Sequence, residues 1–208
     1  MKTAIEEILP KRLVGYINEI KGVSKWRKRG YLNEAPQFVK ERVFLKYGVP
    51  DAPWVETGTF RGKTTLFLAK HSTKVYTIEP AKELYDDAVK MLAGRNVELF
   101  NDVSEAVFPK LMPTLSGDLN FWLDGHYSAG RTFKGDTDCP VEDELRAIEN
   151  NLANFGKVSI LIDDVRCFLQ VEPGYSDYPS IDYLVDWARK HDFSWSIEQD
   201  IFIMRNYS

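Results

Sequence analysis

Cysteine is scarce: the chain has two, Cys139 and Cys167. Two thiols cannot build a disulfide framework or a four-thiolate zinc site. They read as free thiols, and a reducing cytoplasm is the expected location. Long apolar runs are also missing. A membrane helix needs about 18 or more apolar residues in a row, and the best stretch, Val158–Ile162, already contains Ser159. The opening MKTAIEEILPKR has acids and a proline where a secretory leader needs an apolar core. No membrane partner is therefore expected. A G-x-G-x-x-G dinucleotide fingerprint is absent as well.

What is present is ordinary globular material. Hydrophobic residues make up 44% and charged residues 28% of 208 residues, which excludes wholesale disorder. At roughly 100–200 residues per domain, the length allows one domain and a modest extension. The net charge is −4 but unevenly placed: residues 1–50 carry eleven Lys/Arg and five Glu, +6, which leaves −10 on residues 51–208. The densest basic stretch is Lys21, Lys25, Arg27, Lys28 and Arg29 around Trp26. A basic patch with an aromatic can hold phosphates. A solvated helical face is the simpler reading, and a basic cap over an anionic substrate is compatible with it. With the remainder this acidic, no nucleic acid partner is expected.

Residues 1–50 read as a helical extension. Ile5, Ile8, Leu9, Leu13, Ile17 and Ile20 recur at helical spacing, interrupted by Pro10 and Gly15. A second helix is expected over Pro36–Tyr47, and Gly48, Pro50 and Pro53 mark a boundary. From Trp54 strands and helices alternate. Strands are expected at Trp54–Val55, Lys74–Glu79, Val97–Phe100, Asn120–Asp124 and Val158–Asp163. Helices are expected at Gly62–Lys70, Pro80–Ala93, Val103–Leu111, Asp138–Phe155 and Ser180–Lys190. Trp195–Glu198 and Ile201–Arg205 read as an antiparallel hairpin turning at Gln199–Asp200. The alternation predicts an α/β fold with a mostly parallel sheet over residues 51–208 and helices on both faces. Ligands on such sheets bind at the carboxyl ends of the strands. Here those ends read Glu56, Glu79, Asp124 and Asp163–Asp164. Acids at four strand ends suit a cation, a diol or a metal rather than an anion.

The segment ETGTFRGKTT follows the first strand. As a phosphate loop it falls one residue short, because only Thr59, Phe60 and Arg61 separate Gly58 from Gly62. With ILIDD as a second acidic strand, an ATP-dependent kinase or NTPase remains the alternative function. The other reading is E-x-G-x-x-x-G with an acid at the tip of the next strand. Gly58 permits a tight turn and close backbone approach, and Gly62 lets the helix start against the sheet. Glu79 can accept both hydroxyls of a ribose. Asp102 can accept from an adenine amine while a nearby amide donates. Glu56 could be a helix-capping acid instead, and Glu79 or Asp102 ordinary helix N-caps. As an ordered set at strand ends, they favour a bound nucleoside.

The order ETGTFRG, YTIEP, FNDVSEAV, FWLDGH, ILIDD and a closing hairpin resembles the class I S-adenosylmethionine-dependent methyltransferases, over about residues 51–208. The E-x-G-x-x-R-G form with a bulky Phe60 is similar to the macrocin-type sugar O-methyltransferases. The resemblance implies a Rossmann-like seven-stranded sheet, mostly parallel with an antiparallel last strand. It implies S-adenosyl-L-methionine as cofactor, contacted by Glu56, Gly58, Thr59, Phe60, Gly62, Glu79, Asp102, Val103, Asp124 and Gly125. The usual family loop has another glycine where Phe60 stands, so the methionine end would be seated slightly differently. The implied partner is a small-molecule or sugar acceptor carrying a hydroxyl. A cofactor-binding module without catalysis is a further alternative.

Methyl transfer to a hydroxyl needs an aligned acceptor and a base for its proton. His126, beside Asp124, is the expected base, with Asp124 orienting it or accepting the proton itself. The surface-loop reading of His126 stands beside this one. His71 and His191 read as exposed helix-end residues. Asp124, Asp163 and Asp164 form a candidate oxygen site for Mg²⁺ or Ca²⁺; Asp164 could instead pair with Arg166. The long loop Gly125–Thr137, with Arg131 and Lys134, reads as a lid. Tyr175 and Tyr178 are candidates to stack on a sugar, or simply core. The N-terminal extension is a reasonable place for a homodimer contact.

Overall fold

The computed structural model describes residues 11–31, 35–125, 139–169, 175 and 177–208. Two helices open the described chain, α1 (Lys11–Lys28) and α2 (Gln37–Tyr47). Then follow β1 (Trp54–Thr57), α3 (Lys63–Leu68), β2 (Val75–Ile78), α4 (Lys82–Leu92), β3 (Val97–Phe100), α5 (Ser104–Leu111) and β4 (Gly117–Leu123). The second half runs α6 (Val141–Glu149), β5 (Phe155–Ile162), α7 (Ile181–Lys190), β6 (Ser194–Glu198) and β7 (Ile201–Arg205). The seven strands form one sheet in the order β3-β2-β1-β4-β5-β7-β6. All pairs from β3 to β5 are parallel, while β7 runs antiparallel to both β5 and β6. This is the expected seven-stranded, Rossmann-like arrangement.

The pleat assigns side chains to two faces. Val55, Ile78, Phe121, Leu123, Ile160, Ile162, Phe202 and Met204 face α5, α6 and α7, which contribute Phe108, Leu145 and Leu184. Trp54, Val75, Trp122, Leu161, Ile201 and Ile203 face the other way, against Val43 and Phe44 of α2 and Leu68 of α3. The central strands β1, β4, β5 and β7 are buried on both faces toward their carboxyl-end or inner residues, which explains why ILI and FWL read as unbroken apolar runs. Phe44 meets Trp54 and Trp122 edge-on, at 5.7 and 4.7 Å between ring centroids. A helix from the N-terminal segment thus packs directly on the sheet. By contrast α1 leaves Leu13, Tyr16, Ile20 and Val23 exposed.

The hairpin forms as expected, with Gln199 and Asp200 both at positive φ, 56° and 67°. That backbone matches the twist of two antiparallel strands. The long helix expected over Asp138–Phe155 is shorter. It ends at Glu149, a 3₁₀ turn spans Leu152–Asn154, and β5 begins at Phe155. The cause is tertiary: the Lys157 amide donates to Asp118 Oδ1 at 2.8 Å. A Cβ on Gly156 would lie 2.5 Å from that same oxygen, so a side chain there would displace the Asp118 carboxylate. Both cysteines are free and buried, and burial pushes their thiols up, Cys139 to about 12 and Cys167 to about 11. Neither is a reactive thiolate near neutrality. Among the described residues no helix is long and apolar enough to cross a membrane.

Candidate functional site

Register builds the site. Thr57 lies opposite Ile78 and Leu123, Ile78 opposite Phe100, and Leu123 opposite Ile162. The next residues, Gly58, Glu79, Asn101, Asp124 and Asp163, therefore leave five adjacent strands at one level. Glu56 does not belong to that row. It lies inside β1, opposite Thr77 and Trp122, on the face that also carries Trp54.

Glu56 is wholly buried. Its Oε2 accepts from the hydroxyls of Thr65 on α3 at 2.5 Å and Thr77 on β2 at 2.6 Å. Its Oε1 has no hydrogen-bond partner among the described residues. Burial pushes its pKa up to about 7, against the two hydroxyl donors and aided by Glu79. A carboxylate with one buried oxygen left over fits a cationic ligand group, such as the ammonium of a methionyl chain.

The glycine turn is fixed by the backbone. The amides of Gly58 and Thr59 both donate to the Ile78 carbonyl, at 3.0 and 3.1 Å, and the Gly62 amide donates to the Thr59 carbonyl at 2.7 Å. The Phe60 amide donates to Glu79 Oε2 at 2.7 Å. Four amides of the turn are thus engaged within the chain, so they do not form the cradle a phosphate loop requires. This counts against the kinase and NTPase alternative in physical terms. Gly58 sits at φ 83°, and a Cβ there would be 2.4 Å from the Asp124 carbonyl oxygen. Only glycine lets β1 and β4 end this close together. Phe60 occupies the left-handed region at φ 48°, a conformation that costs a non-glycine residue about 1 kcal/mol. The turn thus carries backbone strain at an exposed ring.

Glu79 is 4% exposed. Besides the Phe60 amide, it accepts from the Ala81 amide through Oε1 at 2.9 Å. Burial raises its pKa despite both donors. Each oxygen keeps a second lone-pair direction, so two ribose hydroxyls remain compatible with it. Asn101 ties the neighbouring strand in, donating to the Glu79 and Pro80 carbonyls at 2.8 and 3.2 Å. Asp102 is exposed and accepts from the Val103 amide at 2.9 Å, with Val103 as the N-cap of α5. Val103 thus donates to Asp102 itself, not to open space. Thr59 is buried and its hydroxyl pairs with that of Thr77 at 2.6 Å.

Asp124 donates its amide to the Thr57 hydroxyl at 3.2 Å. A Cβ on Gly125 would meet that hydroxyl at 3.0 Å and Glu144 Oε1 at 3.3 Å. Glu144, a buried acid on α6, is thus beside the strand end, although the sequence places it only inside an expected helix. His126, Arg131, Lys134 and the remainder of the expected lid lie outside the described residues.

The candidate metal trio resolves differently. Asp163 receives the ammonium of Lys40 from α2. Asp164 accepts from Arg166 at 2.6 Å, and Arg166 also reaches Asp200 in the hairpin turn. Among the described residues no group of three or more His, Cys, Asp or Glu side chains could hold a metal ion. Two of the three carboxylates are paired with cations of the chain itself, so the described residues give the expected Mg²⁺ or Ca²⁺ site at Asp124, Asp163 and Asp164 no support. Lys40 was missed because nothing in its local sequence marks it. It stands 123 residues from Asp163. Tyr178 is core, edge-on to Phe168 at 5.3 Å and to the partly buried Tyr175 at 5.5 Å. His71 is exposed against Phe67. His191 is half-buried, not exposed, and lies 3.5 Å from Glu149.

No family model matches the chain, and no curated protein sequence matches it. Solved structures do share the fold. A Streptococcus mutans protein assigned as a methyltransferase, solved in complex with SAH, is 16% identical at a TM-score of 0.50, covering 84% of this chain and 98% of that one. The Escherichia coli protein yhhF, also assigned as a methyltransferase, is 15% identical at a TM-score of 0.51, covering 82% and 85%. The 23S rRNA methyltransferase ErmE is 16% identical at a TM-score of 0.50, covering 83% and 68%.

Proposed function

We propose that this protein is an S-adenosylmethionine-dependent methyltransferase of class I, acting on a hydroxyl of a small molecule or sugar. One observation carries the reading: Gly58, Glu79, Asn101, Asp124 and Asp163 leave adjacent strands at one level of a β3-β2-β1-β4-β5-β7-β6 sheet. The methyltransferase names of structures with this fold point the same way. The cofactor, when bound, supplies a methyl group on a positively charged sulfur.

In this reading the chain's residues divide the work. Glu79 accepts the ribose hydroxyls, Asp102 and the start of α5 bracket the adenine, and Glu56 faces the methionyl ammonium. Gly58 and Gly125 keep the floor free of side chains. Asp124 and His126 take the acceptor side, where His126 receives the hydroxyl proton as the acceptor oxygen attacks. The macrocin-type subgroup is part of the proposal through the E-x-G-x-x-R-G turn. A divalent ion is not carried forward, because Lys40 and Arg166 already neutralise Asp163 and Asp164.

Calorimetry with S-adenosylhomocysteine tests this. Micromolar binding by the intact protein and at least a tenfold loss in Glu79→Ala are expected; absence of heat at millimolar ligand would reject it. Once an acceptor is found, unchanged turnover in His126→Ala would remove His126 as the base. A chain that binds cofactor but transfers to nothing would be the non-catalytic module.

A second acceptor class, an RNA base, has one specific observation behind it. The exposed face of α1 presents Lys21, Lys25, Arg27 and Lys28, followed by exposed Arg29 and Tyr31, and a 23S rRNA methyltransferase shares the fold. Binding of an RNA hairpin that weakens steeply with salt would favour it; no binding at 50 mM salt would leave the small-molecule reading alone.

A further inference from the structure

The charge balance at the β4–β5 end of the site has a consequence for the cofactor. Asp124, Asp163 and Asp164 stand together there, with Lys40 and Arg166 as their cations. Lys40 is one turn before Val43 and Phe44 on α2, so the helix that seals the second sheet face also aims this side chain. Asp163 shares that face with Leu161, and Asp124 shares it with Trp122, by strand alternation. The ammonium lies 5.6 Å from the centre of the Trp122 ring, and the Lys40 side chain is 13% exposed while that of Asp163 is 2% exposed. Desolvation works against the charge, but Asp163, Asp124 and Asp164 together hold the lysine protonated.

The strand order sets where this pair lies relative to the cofactor. If adenosine occupies the β2–β3 side, at Glu79 and Asp102, then the sulfur lies toward β1 and β4, next to Asp124. Lys40 and Asp163 are one strand further on. We propose that the Lys40–Asp163 pair sets the preference of this site between the cationic form of the cofactor and its neutral product. Methyl transfer breaks the S–CH₃ bond with its electron pair left on sulfur, so the bound cofactor loses one positive charge. Bare carboxylates beside the sulfur would hold the sulfonium too well and oppose its discharge. The Lys40 ammonium offsets that attraction. This inference rests on the methyltransferase reading and specifies the electrostatics of the same site.

The test compares sinefungin, which carries an ammonium in place of the sulfonium, with S-adenosylhomocysteine, which is neutral there. Dissociation constants for both are measured by calorimetry on the intact protein and its variants. Lys40→Met is expected to shift the ratio about tenfold toward sinefungin, a size set by one unit charge at close range in a partly buried site. Asp163→Asn should shift it the opposite way, and the double variant should return to within about twofold of the wild type. A purely structural salt bridge would weaken both ligands alike and leave the ratio unmoved. An unchanged ratio in Lys40→Met with S-adenosylhomocysteine still bound would overturn the proposal. Should that variant not fold, an unmoved or same-sign ratio in Asp163→Asn does so equally. Failure of either ligand to bind the wild type would instead refute the methyltransferase reading, a distinguishable result.

Discussion

Glu56 shows how a single buried acid can connect stability to binding. Its folded pKa is about 7, well above the ordinary carboxylate value. The folded protein therefore binds more protons than the unfolded chain between about pH 4.5 and 7. Stability is highest at the acid end of that window and declines as pH rises through it. The decline amounts to as much as about 3 kcal/mol, since a tenfold difference in proton affinity between the folded and unfolded chain is worth about 1.4 kcal/mol. Glu56→Gln retains an acceptor for Thr65 and Thr77 and removes the titration. Urea unfolding at pH 5 and pH 8 should show the variant close to wild type at pH 5 and more stable at pH 8. Equal pH slopes in the two proteins would contradict the account. The stability gain should come with weaker cofactor binding, because the carboxylate is what a methionyl ammonium would meet.

At the scale of elements, β4 is the piece that gathers the others. Buried Asn120 accepts from the Val49 amide at 2.7 Å and donates to the Val49 carbonyl at 3.0 Å, with the Ala52 carbonyl at 3.4 Å. It clamps the link between α2 and β1 onto the sheet. Asn120→Ala would leave a buried donor and a buried acceptor without partners, at about 1–3 kcal/mol each. A loss of about 3 kcal/mol in equilibrium unfolding is expected, and a loss below 0.5 kcal/mol would mean water replaces the amide.

Much of this level was legible in the sequence. Val97–Phe100 and Ile201–Arg205 lie where the sequence pattern places them, and in the second of these the apolar run is buried. The start of β5 was hidden, since its conformation depends on Asp118, a contact that no local periodicity reports. The site divides along the same line. Gly58, Glu79 and Asp124 announce themselves because they sit at strand ends within recognisable segments. Lys40, Glu144, Thr65 and Thr77 do not, because only the packing of α2, α6, α3 and β2 brings them to the strand-end residues or to Glu56 beneath them.

For the whole molecule, the N-terminal segment is packed against the sheet through its second helix. Its second helix buries Val43 and Phe44 in the sheet and delivers a cation to the strand-end carboxylates. The positive N-terminal segment thus meets the negative remainder of the chain at these strand ends. A nucleoside is expected to lie from β3 toward β4 along the carboxyl edge. A crystal structure of the protein soaked with S-adenosylhomocysteine tests that claim most directly. The ribose hydroxyls should fall within hydrogen-bond distance of the Glu79 carboxylate, with the sulfur turned toward Asp124; a ligand bound on any other surface, with Glu79 untouched, would contradict it.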